Sequence, residues 1–246
     1  MPTVTELTAP YANFLLSPRH GPGVCGACFN LTDGYSRCWA CAHGGRFLDA
    51  MAPISYSVAG EQLHHALALY KRRAGREAHR VGLELAAVLW RHLATHECCL
   101  AQATGVGGFD LVTTVPSSDP DRDDEHPLHR LVGSVVRPTR DRHLRLLRRT
   151  GTETRRHEFS AARYETTGPD LGGRSVLLVD DTWTTGANVQ SAAAALKLAG
   201  AGPVAAVVIG RHVNRGWHRN DERIRSYEQP FDWGLCARCE RREVDG

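Results

Sequence analysis

Apolar residues recur along this chain at two different spacings. From Glu61 to Tyr70, Leu63, Ala66, Leu67 and Tyr70 fall at i, i+3, i+4 and i+7, which is one stripe of a helix. After Gly75 the stripe resumes through Val81, Leu85, Val88, Leu89 and His92, and the whole region 51–99 reads as helical. The period then shortens. Phe109–Val115 is a β-branched run that stops at Pro116, and Ser117, Ser118, Asp119 and Pro120 follow as a loop. Pro127 suits the start of a helix carrying Leu128, Leu131, Val132 and Val135. Leu144–Leu147 predicts another short strand, and Thr150–Arg156, with no apolar residue, predicts a mobile loop.

The most informative pattern spans 174–209. Ser175–Val179 is almost wholly apolar, as expected of a strand in the middle of a parallel sheet. It runs into Asp180-Asp181 and then Thr182-Trp183-Thr184-Thr185-Gly186. A helix follows, with Val189, Ala192, Ala193 and Leu196 on one face and Gly200 as its stop. Pro203 opens a second apolar strand, Val204–Ile209. This is one βαβ unit, and it predicts an α/β fold with a mostly parallel sheet flanked by helices.

Ligands of such sheets bind beyond the carboxyl ends of the strands. Here that place holds two acids, both expected to be exposed, and a Thr/Gly turn at a helix N-terminus. The turn offers backbone amides, hydroxyls and the positive end of the helix dipole, which suits a phosphate. Charge-assisted hydrogen bonds at roughly 1.5–3 kcal/mol each outweigh a dipole worth about 0.3–1 kcal/mol. The adjacent carboxylates would repel phosphate directly, so they should face hydroxyls or a divalent metal on the same ligand. A sugar phosphate meets both requirements.

With 42% hydrophobic residues in 246, the chain is too apolar for disorder throughout. No run approaches the roughly 18 apolar residues of a spanning helix, so no membrane partner is expected. A formal net charge of +3 is too small to mark the whole chain as a nucleic-acid binder. The charge is unevenly spread, however. Nine arginines between Arg137 and Arg163 face only Asp141, Glu153 and Glu158, and Asp119–Glu125 just before them holds five acids and Arg122. Only Lys71 and Lys197 among the 30 basic residues are lysines, a bias read as codon usage. Residues 1–20 lack the features of a secretory signal, and a cytoplasmic location is expected, where cysteines seldom form disulfide staples.

Six of the eight cysteines form CxxC pairs. Cys25/Cys28 and Cys38/Cys41 lie a short loop apart, the spacing of a closed, structural four-cysteine zinc site. A redox pair is the rival, but it expects one CxxC opening a helix after a strand. Zinc would supply on the order of 10 kcal/mol to a segment with little core of its own. Cys98 and Cys99 read as small buried residues at a helix end, and His64, His65, His92 and His96 as surface or packing residues. Cys236 and Cys239 are half a metal site. His212 or His218, another subunit or the N-terminal module would complete it; a metal-free thiol pair and a redox pair are the alternatives. The expected organisation is a zinc module over 1–50, an α/β domain over 51–229 and a tail over 230–246.

Val176-Leu-Leu-Val-Asp-Asp-Thr-Trp-Thr-Thr-Gly-Ala187 resembles the phosphoribosyl diphosphate (PRPP) motif of type I phosphoribosyltransferases. With the zinc knuckles, Leu69-Tyr-Lys71 and the basic loop, residues 25–212 resemble the ComF family of phosphoribosyltransferase-like proteins. The resemblance implies a type I phosphoribosyltransferase-like core, with Asp180 and Asp181 as the candidate catalytic pair on the ribose hydroxyls. Thr182, Thr184, Thr185, Gly186, Ala187 and Asn188 would hold the 5′-phosphate. Pro116, Ser117 and Ser118 would meet the diphosphate, joined by Arg155, Arg156 and His157 if the basic loop closes as a lid. A solvated basic face is the other reading of that loop.

Two departures stand out: Asn188 replaces the usual Ser or Thr, and Glu125-His-Pro-Leu-His-Arg130 stands where the family has Arg-Gly-Phe-Asn-Gln. The implied activity is a Mg²⁺-dependent transfer of phosphoribose from PRPP to a nitrogen acceptor, a base or an amine, releasing diphosphate. The alternative is a non-catalytic PRPP or nucleotide sensor, or a ComF-like protein that contacts nucleic acid. Nucleic acid is the secondary partner, and a homo-oligomer is compatible with either.

Overall fold

Strands that are apolar on both faces must be covered on both, and that requirement organises the molecule. The computed structural model describes residues 2–72, 75–117, 126–155, 157–168, 170–217, 219–227 and 230–239. Six strands are present among them: β1 (Ala50–Val58), β2 (Leu111–Thr114), β3 (Leu147–Arg149), β4 (Tyr164–Thr166), β5 (Val176–Trp183) and β6 (Val204–Val213). Four form a parallel sheet in the order β1-β6-β5-β2, while β3 and β4 make a separate antiparallel ribbon. The α-helices are α1 (Val4–Thr8), α2 (Trp39–His43), α3 (Gln62–Leu69), α4 (Arg76–Ala103), α5 (Pro127–Arg130), α6 (Arg137–Arg140), α7 (Ala187–Leu198) and α8 (Asn220–Arg225).

The alternation of side chains along β5 divides the core in two. Leu177 and Val179 face Leu85, Val88 and Leu89 of α4, together with Leu63 and Leu67 of α3. Val176 and Leu178 face Val189, Ala192, Ala193 and Leu196 of α7, on the side that also holds Cys25, Cys28, Cys38 and Cys41. The chain is thus α/β, a four-stranded parallel sheet flanked by helices, with a cluster of four cysteines near its N-terminus.

Within 51–99 the helical reading is corrected at its start. Ala50–Val58 is a strand paired in parallel with β6, Ala50 opposite Ala205, and all nine of its residues are buried. Pro53 removes a backbone donor, which an edge strand tolerates. Residues around Leu16 cover that edge: Tyr56 donates to the Leu16 carbonyl (2.9 Å), and Leu16 donates to Ser55 Oγ (2.8 Å). The opposite edge is protected likewise, since Val112 of β2 exchanges hydrogen bonds with Arg142 and Leu144.

Other boundaries shift less. The strand expected at Leu144–Leu147 begins at Leu147, because Leu144 is used to cover β2. The Pro127 helix is short and passes into a π-helical turn over Leu131–Val135. Cys98 is exposed and Cys99 only half-buried, so neither is the buried packing residue expected there. Among the described residues, no helix is long and apolar enough to cross a membrane.

Candidate functional site

Because the four strands are parallel, their carboxyl ends share one edge, and a cleft of about 1650 Å³ opens there. Asp180, Asp181 and the whole set Thr182, Thr184, Thr185, Gly186, Ala187 and Asn188 line it. The predicted turn is shorter than expected. Thr182 and Trp183 still pair with Gly210 and Arg211, so the bend itself is Thr184–Gly186. Gly186 adopts φ 85° as the N-cap of α7, and a Cβ there would overlap the Trp183 ring, which is 2% exposed. Thr185 Oγ1 accepts from the Ala187 amide (3.3 Å) and donates to the His157 carbonyl (3.1 Å). The amides of Thr184, Thr185 and Gly186 have no acceptor among the described residues.

The acids differ from expectation and from each other. Asp181 is only 3% exposed, although both were expected to be exposed. Its carboxylate accepts from the Tyr70 hydroxyl and from Lys71 Nζ (2.8 Å), and His126 Nε2 lies 3.9 Å away. Tyr70 and Lys71 come from the end of α3, which brings its C-terminus over the strand. Burial would raise Asp181, but Lys71, His126 and Tyr70 outweigh it and hold the carboxyl below its usual range. Asp180 forms no ion pair of its own: burial and then the charge of Asp181 outweigh the more distant Lys71 and push it up to about 8. The pair therefore presents one committed carboxylate and one that is destabilised when charged.

Of the proposed diphosphate contacts, Pro116, Ser117 and His157 line the cleft. Arg155 does not: its side chain is largely exposed and lies 3.8 Å from Glu158. Ser118, Arg156 and the acidic stretch 119–125 fall outside the described residues. Sequence reasoning missed Arg163, which is 3% exposed and lines the cleft. It donates to the carbonyls of Arg155 (3.0 Å) and Glu158 (2.6 Å), so it braces the loop from beneath. Much of the basic stretch is similarly committed: Arg142 grips Glu97 at 2.7 Å, and Arg148 pairs with Glu165 at 3.0 Å.

On the far face of β6, the four N-terminal cysteines converge. Their sulfurs lie within 4.8 Å of one another, with Cys28 and Cys38 3.6 Å apart. The first pair sits on a knuckle closed by a Val24–Leu31 bridge, with Phe29 at φ 58°, and Cys38 caps α2, which carries Cys41. Arg211 of β6 donates to the Cys28 carbonyl (3.0 Å) and places its guanidinium 3.7 Å from the sulfur. The group could hold a metal ion, and tetrahedral coordination by sulfur needs S–S edges of about 3.8 Å.

Cys236 and Cys239 are not near His212, which lies beside His64 with ring centroids 5.5 Å apart. His218 falls outside the described residues. Instead the tail pair meets His96 and Cys99 of α4, the four ligand atoms again lying within 4.8 Å of one another. The chain matches no protein-family model, no curated protein and no solved structure.

Proposed function

We propose that the cleft binds a 5-phosphorylated ribose, with PRPP as the substrate, and that the protein is a ComF-like phosphoribosyltransferase. It would transfer phosphoribose to a nitrogen base or amine. The observation that carries this reading is the end of β5: two acids and, two residues further on, a bend that lines the same cleft and whose amides have no acceptor among the described residues. The bend and the first turn of α7 suit the phosphate, Asp180 suits the ribose hydroxyls, and Ser117 and His157, which line the same cleft, are read as diphosphate contacts. Asp180 also offers the hard oxygen that suits Mg²⁺, which would neutralise the departing diphosphate. The four-cysteine cluster is read as a structural zinc site, since all four positions are filled by protein.

Asp181 has a different part in this reading. Held by Tyr70 and Lys71, it fixes the end of α3 against β5 and leaves ribose recognition to Asp180 unless Lys71 exchanges partners. That same commitment favours the second reading, a protein that binds PRPP without turning it over. The pairing of arginines at 142 and 148 weakens a nucleic-acid role.

Diphosphate release is the decisive measurement, made with PRPP, Mg²⁺ and a panel of bases and amines. Release with one acceptor supports the transferase; tight PRPP binding with no release selects the sensor. Asp180→Asn should lower PRPP affinity at least tenfold by calorimetry, and unchanged affinity would remove the site from both readings.

A further inference from the structure

We propose that His96, Cys99, Cys236 and Cys239 form a second, structural zinc site, which fastens the C-terminal segment to α4. It is independent of the cleft and of any reading of its ligand. His96 and Cys99 lie at i and i+3 on α4 and so project from one face of the helix. Cys236 and Cys239 come from a turn in which the Cys239 amide donates to the Cys236 carbonyl (3.2 Å). The amides of Cys236 and Arg238 approach the sulfurs of Cys239 (3.2 Å) and Cys236 (3.3 Å).

The spacing fits one ion. The Cys99 and Cys239 sulfurs are 3.8 Å apart, and those of Cys236 and Cys239 are 3.4 Å apart. His96 Nδ1 lies 3.6 Å from Cys239 and 4.0 Å from Cys99. With Zn–S near 2.3 Å and Zn–N near 2.0 Å, a tetrahedron has edges of about 3.8 Å between sulfurs and about 3.5 Å between sulfur and nitrogen. A disulfide would need about 2.0 Å, and it would not account for a third thiol and an imidazole at the same point.

The imidazole supplies a separate argument. His96 Nε2 is 2.9 Å from the Trp233 carbonyl. A carbonyl only accepts, so Nε2 carries a proton, and in the neutral imidazole this makes Nδ1, the atom facing the sulfurs, the nitrogen with the free lone pair. This is the arrangement by which an outer hydrogen bond orients a metal-ligating histidine. Trp233 belongs to the same tail and is itself covered by Arg91, 4.4 Å from its ring. The tail therefore provides two ligands and the group that orients a third.

The site is closed, so its role is architectural. Phe231, just upstream, donates to the Ala12 carbonyl (2.7 Å) and enters the core packed on α4. Arg238, inside the CxxC turn, donates to the Met51 carbonyl at the start of β1 (2.8 Å) and lies 5.1 Å from the ring of Phe29. Phe29 belongs to the first cysteine knuckle, so one arginine links the two clusters. Neighbouring Cys98 stays outside the group and serves as a control.

The test is the metal content of the full chain after equilibration with Zn²⁺ and removal of free ion. Two zinc ions per wild-type chain are expected, falling to one in Cys236→Ser/Cys239→Ser and staying at two in Cys98→Ser. One ion in the wild type, or two in the double variant, overturns the proposal. Should the double variant fail to fold, alkylation of the native wild type decides. Cys98 should react at once, and Cys99 and Cys239 only after a chelator is added. Chelator-independent reaction of Cys99 and Cys239 overturns the site.

Discussion

The mouth of the sheet and the two thiol clusters place charge inside the protein in opposite ways. At the clusters, each set of thiolates would surround a divalent cation that stays for the life of the fold. At the mouth, two adjacent carboxyls share one half-buried lysine, which pairs with Asp181 alone, and Asp180 is left pushed up to about 8. The first arrangement adds stability, and the second spends it. A region that keeps a carboxyl costly to ionise beside amides without acceptors is shaped for something that arrives and leaves.

The contrast can be broken first at the N-terminal cluster. Cys25→Ser/Cys28→Ser should release the metal and forfeit a term on the order of 10 kcal/mol. Amide exchange should accelerate across 24–47, while the strands of the parallel sheet remain protected; wild-type exchange in the knuckle would contradict a structural metal. Lys71→Met attacks the mouth and should cost about 1.5–3 kcal/mol, because it takes a charged hydrogen-bond donor from a buried carboxylate while Tyr70 stays in place. The sign follows from Asp181: its folded pKa is depressed, so its contribution is present above the unfolded value and lost as pH falls. The Lys71→Met deficit should accordingly be large at pH 7 and shrink below about pH 4, as read by urea denaturation. A deficit independent of pH would mean that the lysine acts by packing alone.

The smallest expected change sharpens the comparison. Asp180 has a folded pKa raised from 3.8 to about 8, so between those values the unfolded chain is ionised while the folded one holds a proton. Its stability contribution falls as pH rises through that window, and Asp180→Asn should stabilise the protein by about 1–2 kcal/mol at pH 8. No gain at pH 8 would place Asp180 in water rather than in the cleft wall.

The parts that were legible in the sequence are local. The run from Ser175 to Ile209 reads as strand, bend, helix and strand because each period is set by neighbours, and the N-terminal cysteines read as one cluster because all four fall within a short stretch. The parts that were not legible join distant residues. The segment Ala50–Val58 contains proline and small residues and becomes a strand only because β6 offers an edge. The commitment of Asp181 depends on α3, and the ligands that complete the tail pair lie on α4. One signal was present: in a chain with only two lysines, both pair with aspartates, Lys71 with Asp181 and Lys197 with Asp49. A lysine that persists against an arginine bias marks a place where a compact, single-point charge is needed.

Trp183 lies directly under Gly186, its ring filling the space a side chain would take, so the bend is propped from below before any guest arrives. An anion settling there would find its donors already aimed and would not have to freeze a floppy loop, so little of the binding free energy would be lost to ordering. Selectivity at this spot would then come from rigidity, with poorly shaped anions rejected because the floor cannot yield.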